Sequence, residues 1–260
     1  MVRVMRLGRA IFGTDVVNVL QQSDGSLRPL SPGVSGTIEQ PRLIAPVTPS
    51  KIVAIGLNYM DHIREAQMEV PNEPLIFAKF PSSIIGPNEP IVVSPDLTRR
   101  VDWEVELAVI IGRTMSAVSV DDALDGVFGY TVANDISARD LQFADGQWVR
   151  GKSLDTFCPL GPFIVTPDEV PDPQALRLTT TVNDEVVQDS TTREMVFSVA
   201  EILAHCSQAF TLQPGDVVLT GTPWGCGEFM NPQRSLTPGD VVEVSIEGVG
   251  TLCNPVVARK

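Results

Sequence analysis

The feature that most constrains this chain is an alternating acidic and apolar run at residues 101–111, Val-Asp-Trp-Glu-Val-Glu-Leu-Ala-Val-Ile-Ile. Side chains two residues apart share one face of a β-strand, so the run predicts a strand whose odd-numbered face is wholly apolar. The even-numbered face starts with Asp102, Glu104 and Glu106 and then becomes apolar. Because of that apolar continuation, we expect this face to be at least partly buried.

Glu104 and Glu106 would lie about 7 Å apart along this strand, at the usual rise of roughly 3.3 Å per residue. On a partly buried face, two such carboxylates stay ionised only if a cation lies between them. Hard divalent cations prefer oxygen ligands, so the pair is a candidate metal site. A charged outer face of the strand is the alternative interpretation.

A third carboxylate follows a second predicted strand. Residues 126–134 form an apolar, β-branched and aromatic run that ends in Asn134, and Asp135 comes directly after it. A carboxylate at a strand end would complete a Mg²⁺ site in which water or substrate fills the other positions.

Length and composition narrow the possible classes. At 260 residues, with 43% apolar and 20% charged residues, the chain can bury a sizeable core. We expect no membrane partner, because no apolar stretch approaches the ~18 residues of a membrane span. Residues 1–8 lack the apolar core of a signal peptide. The four cysteines lie far apart and indicate reduced thiols in a cytoplasmic protein.

The net charge of −13 argues against a nucleic acid partner. An anionic substrate would therefore need local positive charge in its pocket. With two histidines in the chain, His62 and His205, a His-rich zinc or iron site is excluded.

The turn signals predict a mainly β (α+β) protein with few short helices. Residues 1–48 are interpreted as a small N-terminal β domain and residues 49–260 as the catalytic domain, with prolines at the junction. Three short helices are predicted, capped by Asn58 (residues 60–68), Ser119 (residues 120–124) and Ser198 (residues 199–206).

His62 and Glu65 stand three residues apart on the first of these helices and so share a face. A histidine oriented by a carboxylate is a common general acid/base pair, although a surface ion pair has the same spacing. Because prolines flank the helix, the segment is a candidate lid.

Two lysines and a glycine-rich loop add candidates for binding an anion. Lys79 and Lys152, each taken alone, are most simply solvated, but Gly151 would let the backbone beside Lys152 approach a ligand. Residues 221–227, Gly-Thr-Pro-Trp-Gly-Cys-Gly, follow a predicted strand, and their amides could hold a carboxylate or an oxyanion. A plain tight turn is the alternative for this loop.

Taken together, these motifs resemble the fumarylacetoacetate hydrolase family. Within it, the chain is most similar to the bacterial 2-hydroxyhepta-2,4-diene-1,7-dioate isomerases and their oxaloacetate decarboxylase relatives. The resemblance covers nearly all of residues 50–260 and the short N-terminal β segment. It rests on these segments, in order: residues 56–62, 102–107, 134–140, 151–157, 221–225 and 250–257.

The resemblance implies a mixed β-sandwich roll, a homodimer and a Mg²⁺ or Mn²⁺ ion. By position, the metal ligands would be Glu104, Glu106 and Asp135. The catalytic residues would be His62, Glu65 and Lys152. The substrate-binding residues would be Lys79, Gln142 and Thr222.

The substrates implied are small anionic 2-oxo or 2-enol dicarboxylates that react through a metal-stabilised enolate, as in the catabolism of aromatic compounds. Isomerisation or decarboxylation is favoured, hydrolysis of an acylpyruvate is the alternative, and a non-catalytic metal-binding protein is a third interpretation.

Three residues depart from the pattern of the family in ways that bear on substrate specificity. Leu57 replaces an arginine common in relatives, Cys226 replaces valine, and Trp224 replaces a small residue and is expected to narrow the pocket.

Overall fold

Strands make up most of the regular structure of this protein in the computed structural model, which describes residues 5–30 and 41–259. The strands are β1 (Arg6–Phe12), β2 (Asp15–Gln21), β3 (Leu27–Pro29), β4 (Arg42–Ile44), β5 (Ile52–Gly56), β6 (Leu75–Lys79), β7 (Ile84–Ile85), β8 (Ile91–Val93), β9 (Val101–Asp102), β10 (Val105–Ile111), β11 (Val127–Asn134), β12 (Ser137–Ala138), β13 (Cys158–Val165), β14 (Arg177–Val182), β15 (Glu185–Thr191), β16 (Val217–Leu219), β17 (Val241–Ile246) and β18 (Gly250–Ala258).

The helices are short, as expected. They are α1 (Met60–Ala66), α2 (Val120–Ala123), α3 (Arg139–Ala144), α4 (Val149–Lys152) and α5 (Val199–Ala209), with 3-10 turns at Pro81–Ser83, Leu124–Gly126, Thr192–Glu194 and Gly227–Phe229. The predicted mainly β fold with mixed sheets is therefore confirmed.

Two large sheets carry the fold of the described residues, and β9 and β12 form a third, two-stranded sheet. The larger has the order β3-β2-β1-β13-β11-β10-β16-β5-β6, and the smaller has the order β15-β14-β17-β18-β8. Strands β10, β11 and β13 pack against β14, β17 and β18. The main hydrophobic core lies between these layers.

The N-terminal strands belong to the larger sheet, because β1 pairs antiparallel with β13. The separate N-terminal domain over residues 1–48 stays a prediction, and residues 1–4 and 31–40 of it lie outside the described residues.

The acidic run folds with the predicted faces but not as one unbroken strand. β9 ends at Asp102 and β10 begins at Val105. The odd-numbered side chains of the run all lie in the main core, whereas Ala108 and Ile110 belong to a second apolar cluster on the opposite face. Both faces are buried, so the alternative of a charged outer face is wrong.

Two of the three predicted helix caps are confirmed. The Ser119 side chain accepts a hydrogen bond from the Asp122 amide, and Ser198 forms a capping box with Glu201. The cap predicted at Asn58 is wrong. Its amide group donates to the carbonyls of Phe197 and Thr220, and its side-chain oxygen accepts from the Phe197 amide.

The sequence predicts reduced cysteines and no membrane span. All four cysteines are free thiols, as expected. Among the described residues, every helix is too short or too polar to span a membrane.

Candidate active site

Glu104, Glu106 and Asp135 converge at the point where β10 begins and β11 ends. One carboxylate oxygen of each lies within 4.8 Å of the other two. The side chains meet because the Asp135 amide donates to the Glu104 carbonyl at 2.8 Å, which holds the residue after β11 beside the start of β10. All three residues are buried. The sequence thus predicted this juxtaposition correctly.

Two lysines neutralise part of this acidic group. Lys152 Nζ lies 2.5 Å from Glu104 Oε2 and 2.8 Å from Asp135 Oδ2. Lys79 Nζ lies 2.5 Å from Asp135 Oδ1 and also donates to the carbonyls of Lys152 and Ile136. Both lysines are buried, so the simple expectation of solvated side chains is wrong for each.

Arg139 is the third cation of the site, and we did not assign it a role from the sequence. Its guanidinium bridges Asp102 Oδ2 and Glu104 Oε1, each at 2.7 Å, and donates to Gln142 Oε1 at 3.0 Å. Asp102 is fixed in turn by the amides of Gly227 and Glu228. In the sequence, the place of Asp102 on the acidic face of the strand indicates that it belongs to the site. The corresponding indication for Arg139 is that a cluster of buried carboxylates needs cations to neutralise it.

We call these seven side chains the charge cluster: Asp102, Glu104, Glu106, Asp135, Lys79, Arg139 and Lys152. The cluster has four carboxylates and three cations, so it carries one excess negative charge if all are ionised. The excess falls on Glu106. Among the described residues, no cationic nitrogen forms an ion pair with it, and its Oε2 accepts from the Gly221 amide at 2.7 Å.

The pKa shifts follow this uneven pairing. Burial alone would raise the pKa of Glu104, but the Lys152 and Arg139 charges outweigh it and lower that pKa to about 2. For Glu106, burial and the charges of Asp135 and Glu104 raise the pKa well above its usual value. Glu106 lacks a counter-charge among the described residues. The oxygens of Glu104 and Asp135 are each ion-paired, but a carboxylate oxygen has a second lone pair that can bind a metal. The three carboxylates together therefore fit a divalent metal ion.

The His62–Glu65 pair lies on helix α1. His62 Nδ1 lies 3.3 Å from Glu65 Oε2, and the Glu65 carboxylate accepts from the Gly225 amide at 3.0 Å. The Phe229 ring packs edge-on against the imidazole with its centroid 5.3 Å away. Both members of the pair are largely shielded from solvent, with side-chain exposures of 9% and 17%. The pair is therefore a constrained dyad rather than a surface ion pair.

Four members of the charge cluster and His62 of the dyad line one pocket, which we call the central pocket. Its lining residues are Ile55, Gly56, Leu57, His62, Met68, Phe77, Glu104, Glu106, Arg139, Gln142, Phe143, Trp148, Lys152, Thr222 and Phe229. Leu57 thus presents an apolar side chain in the pocket where many relatives are expected to have arginine.

The predicted substrate-binding residues are placed differently from one another. Gln142 and Thr222 line the central pocket. Thr222 Oγ1 accepts from Gln188 Nε2 at 3.0 Å, which leaves the threonine hydroxyl proton available to a ligand. Lys79 does not appear among the described lining residues. It lies behind Asp135, where its ammonium donates hydrogen bonds to three protein oxygens. Its position therefore favours a role in holding Asp135 over contact with the substrate.

Trp224 also differs from expectation. The residue is 45% exposed, and its indole N–H donates to the Asp189 carbonyl at 3.2 Å. It therefore lies against strand β15 and does not narrow the central pocket. The neighbouring Cys226 is buried and points inward, with its Sγ 4.0 Å from His62 Nδ1.

Comparisons with known proteins agree with this geometry. The family model described as "Fumarylacetoacetate (FAA) hydrolase C-terminal" matches residues 51–257. The chain belongs to the fumarylacetoacetate hydrolase family. It is an enzyme of that family, whose members generally use a divalent metal ion.

Named relatives include oxaloacetate tautomerases. The mitochondrial oxaloacetate tautomerase Fahd2a of Rattus norvegicus is 45% identical over 247 residues, which cover 94% of this chain and 77% of the relative. The Homo sapiens mitochondrial oxaloacetate tautomerase FAHD2B is 51% identical over 217 residues, which cover 82% of this chain and 69% of the relative.

Solved structures of similar fold carry other names. A fumarylacetoacetate hydrolase from Exiguobacterium antarcticum is 39% identical with a TM-score of 0.91, covering 98% of this chain and 100% of that one. A 2-hydroxyhepta-2,4-diene-1,7-dioate isomerase from Mycobacterium marinum is 40% identical with a TM-score of 0.85, covering 98% and 99%. The family is thus shown, whereas the names of its members span several reactions.

Proposed function

We propose that this enzyme forms and protonates the enolate of a small 2-oxo dicarboxylate. The reaction that we assign to it is the keto–enol tautomerisation of oxaloacetate. The observation that carries the proposal is that His62 of the dyad lines the same pocket as four members of the charge cluster, namely Glu104, Glu106, Arg139 and Lys152. Tautomerisation needs a group that moves a proton at carbon and positive charge that stabilises the neighbouring oxygen. His62 offers the first function, and the cations Arg139 and Lys152, which also line the pocket, offer the second.

The residues that would hold a divalent metal ion, Mg²⁺ or Mn²⁺, are Glu104, Glu106 and Asp135. When bound, the ion would supply a Lewis acid for the 2-oxygen of the substrate. Thr222 and Gln142 would bind the carboxylates through their hydroxyl and amide groups. Arg139 and Lys152 would reduce the repulsion between an anionic substrate and the acidic cluster.

In the keto-to-enol direction, His62 takes a proton from C3 of the substrate on Nε2, because Nδ1 is directed toward Glu65. The electron pair of the broken C–H bond forms the C2–C3 double bond, and the carbonyl pair moves to O2. Lys152 stabilises the developing negative charge. O2 then takes a proton from a water molecule, and the hydroxide that remains takes the proton from the His62 imidazolium, which restores water and the neutral histidine. Glu65 keeps His62 in the productive orientation and stabilises the imidazolium.

Related reactions share this enolate. Isomerisation of a 2-hydroxydienoate, as in aromatic catabolism, moves the proton to a different carbon, and decarboxylation releases CO₂ instead of a proton. The constrained dyad favours acylpyruvate hydrolysis as a second candidate, because the same histidine can activate water. A homodimer and a cytoplasmic location remain predictions from the sequence.

A substrate panel tests the proposal. The protein is incubated with oxaloacetate, a 2-hydroxydienoate and an acylpyruvate, with Mg²⁺, with Mn²⁺ or with chelator. Loss of enol absorbance, CO₂ and pyruvate are measured separately. We expect the enol of oxaloacetate to ketonise faster with protein and metal than with metal alone. Rates equal to the metal-only control for every substrate would refute an enolate-forming enzyme.

A further inference from the structure

A second group of potential metal ligands adjoins the central pocket and does not include the three carboxylates assigned above. It consists of His62 Nδ1, the Glu65 carboxylate and Cys226 Sγ, with one atom of each within 4.8 Å of the other two. The nitrogen, oxygen and sulfur donors differ in kind from the all-oxygen set at Glu104, Glu106 and Asp135. We therefore propose that His62, Glu65 and Cys226 form a binding site for Zn²⁺, at which zinc inhibits the enzyme.

The spacing of the three donors fits a small tetrahedral ion. Zinc binds histidine nitrogen and carboxylate oxygen at about 2.0 Å and thiolate sulfur at about 2.3 Å, so donor atoms around it are separated by roughly 3.3–3.6 Å. His62 Nδ1 lies 3.3 Å from Glu65 Oε2 and 4.0 Å from Cys226 Sγ. The Glu65 oxygen and Cys226 Sγ lie within 4.8 Å of each other. Side-chain movements of up to about 1 Å would therefore bring the set into the range of a tetrahedral ion, with the fourth position open for water.

The surroundings hold the donors in place. The Gly225 amide binds Glu65 and is adjacent in sequence to Cys226, so one loop fixes two of the three ligands. Among the described residues, the polar contacts of the thiol are long: 3.9 Å to the Pro223 carbonyl, 4.0 Å to Gln188 Nε2 and 4.0 Å to His62 Nδ1. Solvent reaches the group at Glu65, whose side chain is 17% exposed.

The chemistry of the donors separates the two sites. A thiolate with an imidazole prefers Zn²⁺, whereas carboxylates with water prefer Mg²⁺. When zinc binds, the Cys226 thiol proton leaves to water and an S–Zn bond forms. Excess Mg²⁺ should therefore occupy the carboxylate site without competing at the thiolate site.

Zinc at this place would disable the dyad. With Nδ1 bound to the ion, neutral His62 carries its proton on Nε2 and cannot accept another there. This inhibitory consequence rests on the proposed function, but the binding site itself does not.

Cobalt(II) provides a readout of binding that is independent of activity. The reduced protein, saturated with Mg²⁺, is titrated with Co²⁺ while absorbance is recorded. We expect one equivalent to give tetrahedral d–d bands and a thiolate-to-cobalt charge-transfer band. The charge-transfer band should disappear in Cys226→Val and in the nearly isosteric Cys226→Ser. It should persist in Cys253→Ala, which removes a half-buried thiol elsewhere.

Zinc inhibition is then measured at saturating Mg²⁺. Cys226→Val should keep the basal rate and need at least about tenfold more zinc for half inhibition, the scale of a weakened metal site. Absence of the charge-transfer band in the wild type, or its persistence in both Cys226 variants, would overturn the site. If the band behaves as expected and zinc leaves the rate unchanged, the site stands and the proton-transfer role of His62 is wrong.

Discussion

The Gly221 amide donates a 2.7 Å hydrogen bond to the carboxylate of Glu106, the member of the charge cluster that has no cationic partner among the described residues. The bond depends on a backbone conformation that suits glycine, since Gly221 has a φ of +95°. It connects the glycine-rich loop directly to the acidic strand. A change at the loop should therefore alter the acidic site.

Gly221→Ala should destabilise the fold and weaken metal binding together. A Cβ at this position would lie 2.9 Å from Asn58 Cβ, in addition to the left-handed strain of about 1–3 kcal/mol. Gly239→Ala is the matched control, because Gly239 has a φ of +103° but open space around its would-be Cβ. Urea unfolding and Mg²⁺ titration of both variants test this. Equal loss of stability, with unchanged Mg²⁺ affinity in both, would contradict the coupling.

The raised pKa of Glu106 predicts an unusual pH dependence for the metal-free protein. Above pH 4.5, the usual pKa of this carboxyl, the unfolded chain has lost a proton that the folded protein still holds. Stability from this group should therefore fall as pH rises from 4.5 toward the raised pKa. Glu104 acts in the opposite direction and in a separate window, because its stabilising charge is lost as pH falls from 4.5 toward about 2.

Glu106→Gln should remove the loss of stability that Glu106 causes as pH rises above 4.5. The free energy of unfolding of both proteins is measured in the presence of chelator between about pH 5 and about pH 8. With rising pH, it should decline more steeply in the wild type than in Glu106→Gln, by up to about 1.4 kcal/mol per pH unit. Glu243→Gln, an exposed carboxylate on β17, should retain the wild-type slope. The same slope in wild type and Glu106→Gln would mean that Glu106 ionises normally.

The sequence predicted the acidic face because alternation along a strand is a local property. Glu104 and Glu106 had to share a face, and the apolar residues after them required that face to be buried. The position of Asp135 could be expected because it directly follows a strand that could pair with β10. These inferences needed only strand periodicity and the electrostatics of like charges.

Errors arose where contacts distant in sequence override local preference. Asn58 is a good helix cap by type, but its side chain bonds to residues 139 and 162 positions away. Lys79 meets the Lys152 carbonyl across 73 positions. Trp224 turns outward because the Asp189 carbonyl accepts its indole N–H. No pattern within a short window of sequence contains these partners.

Lys79→Met tests the supporting role of this lysine. The change leaves Asp135 Oδ1 and two carbonyl oxygens without a buried donor. The cost should be about 3–5 kcal/mol in the free energy of unfolding, as for other broken buried ion pairs. Arg177→Met is the control, because it breaks an exposed pair with Asp189 and should leave the melting temperature nearly unchanged. A loss below about 1 kcal/mol for Lys79→Met would be that of a surface lysine.

Replacing His62 separates the reactions that share the enolate. Tautomerisation and acylpyruvate hydrolysis need a group that takes a proton from carbon or water, so His62→Ala should slow both by about 10²-fold or more. Decarboxylation of oxaloacetate needs no such base, because CO₂ leaves its electron pair on the enolate, and should fall much less. Lys152→Met should reduce all three rates, since its charge acts on the common enolate. His205→Ala on helix α5, a half-buried histidine outside the central pocket, should change none of them. Equal losses in all three reactions for His62→Ala would instead assign the dyad to closing the pocket.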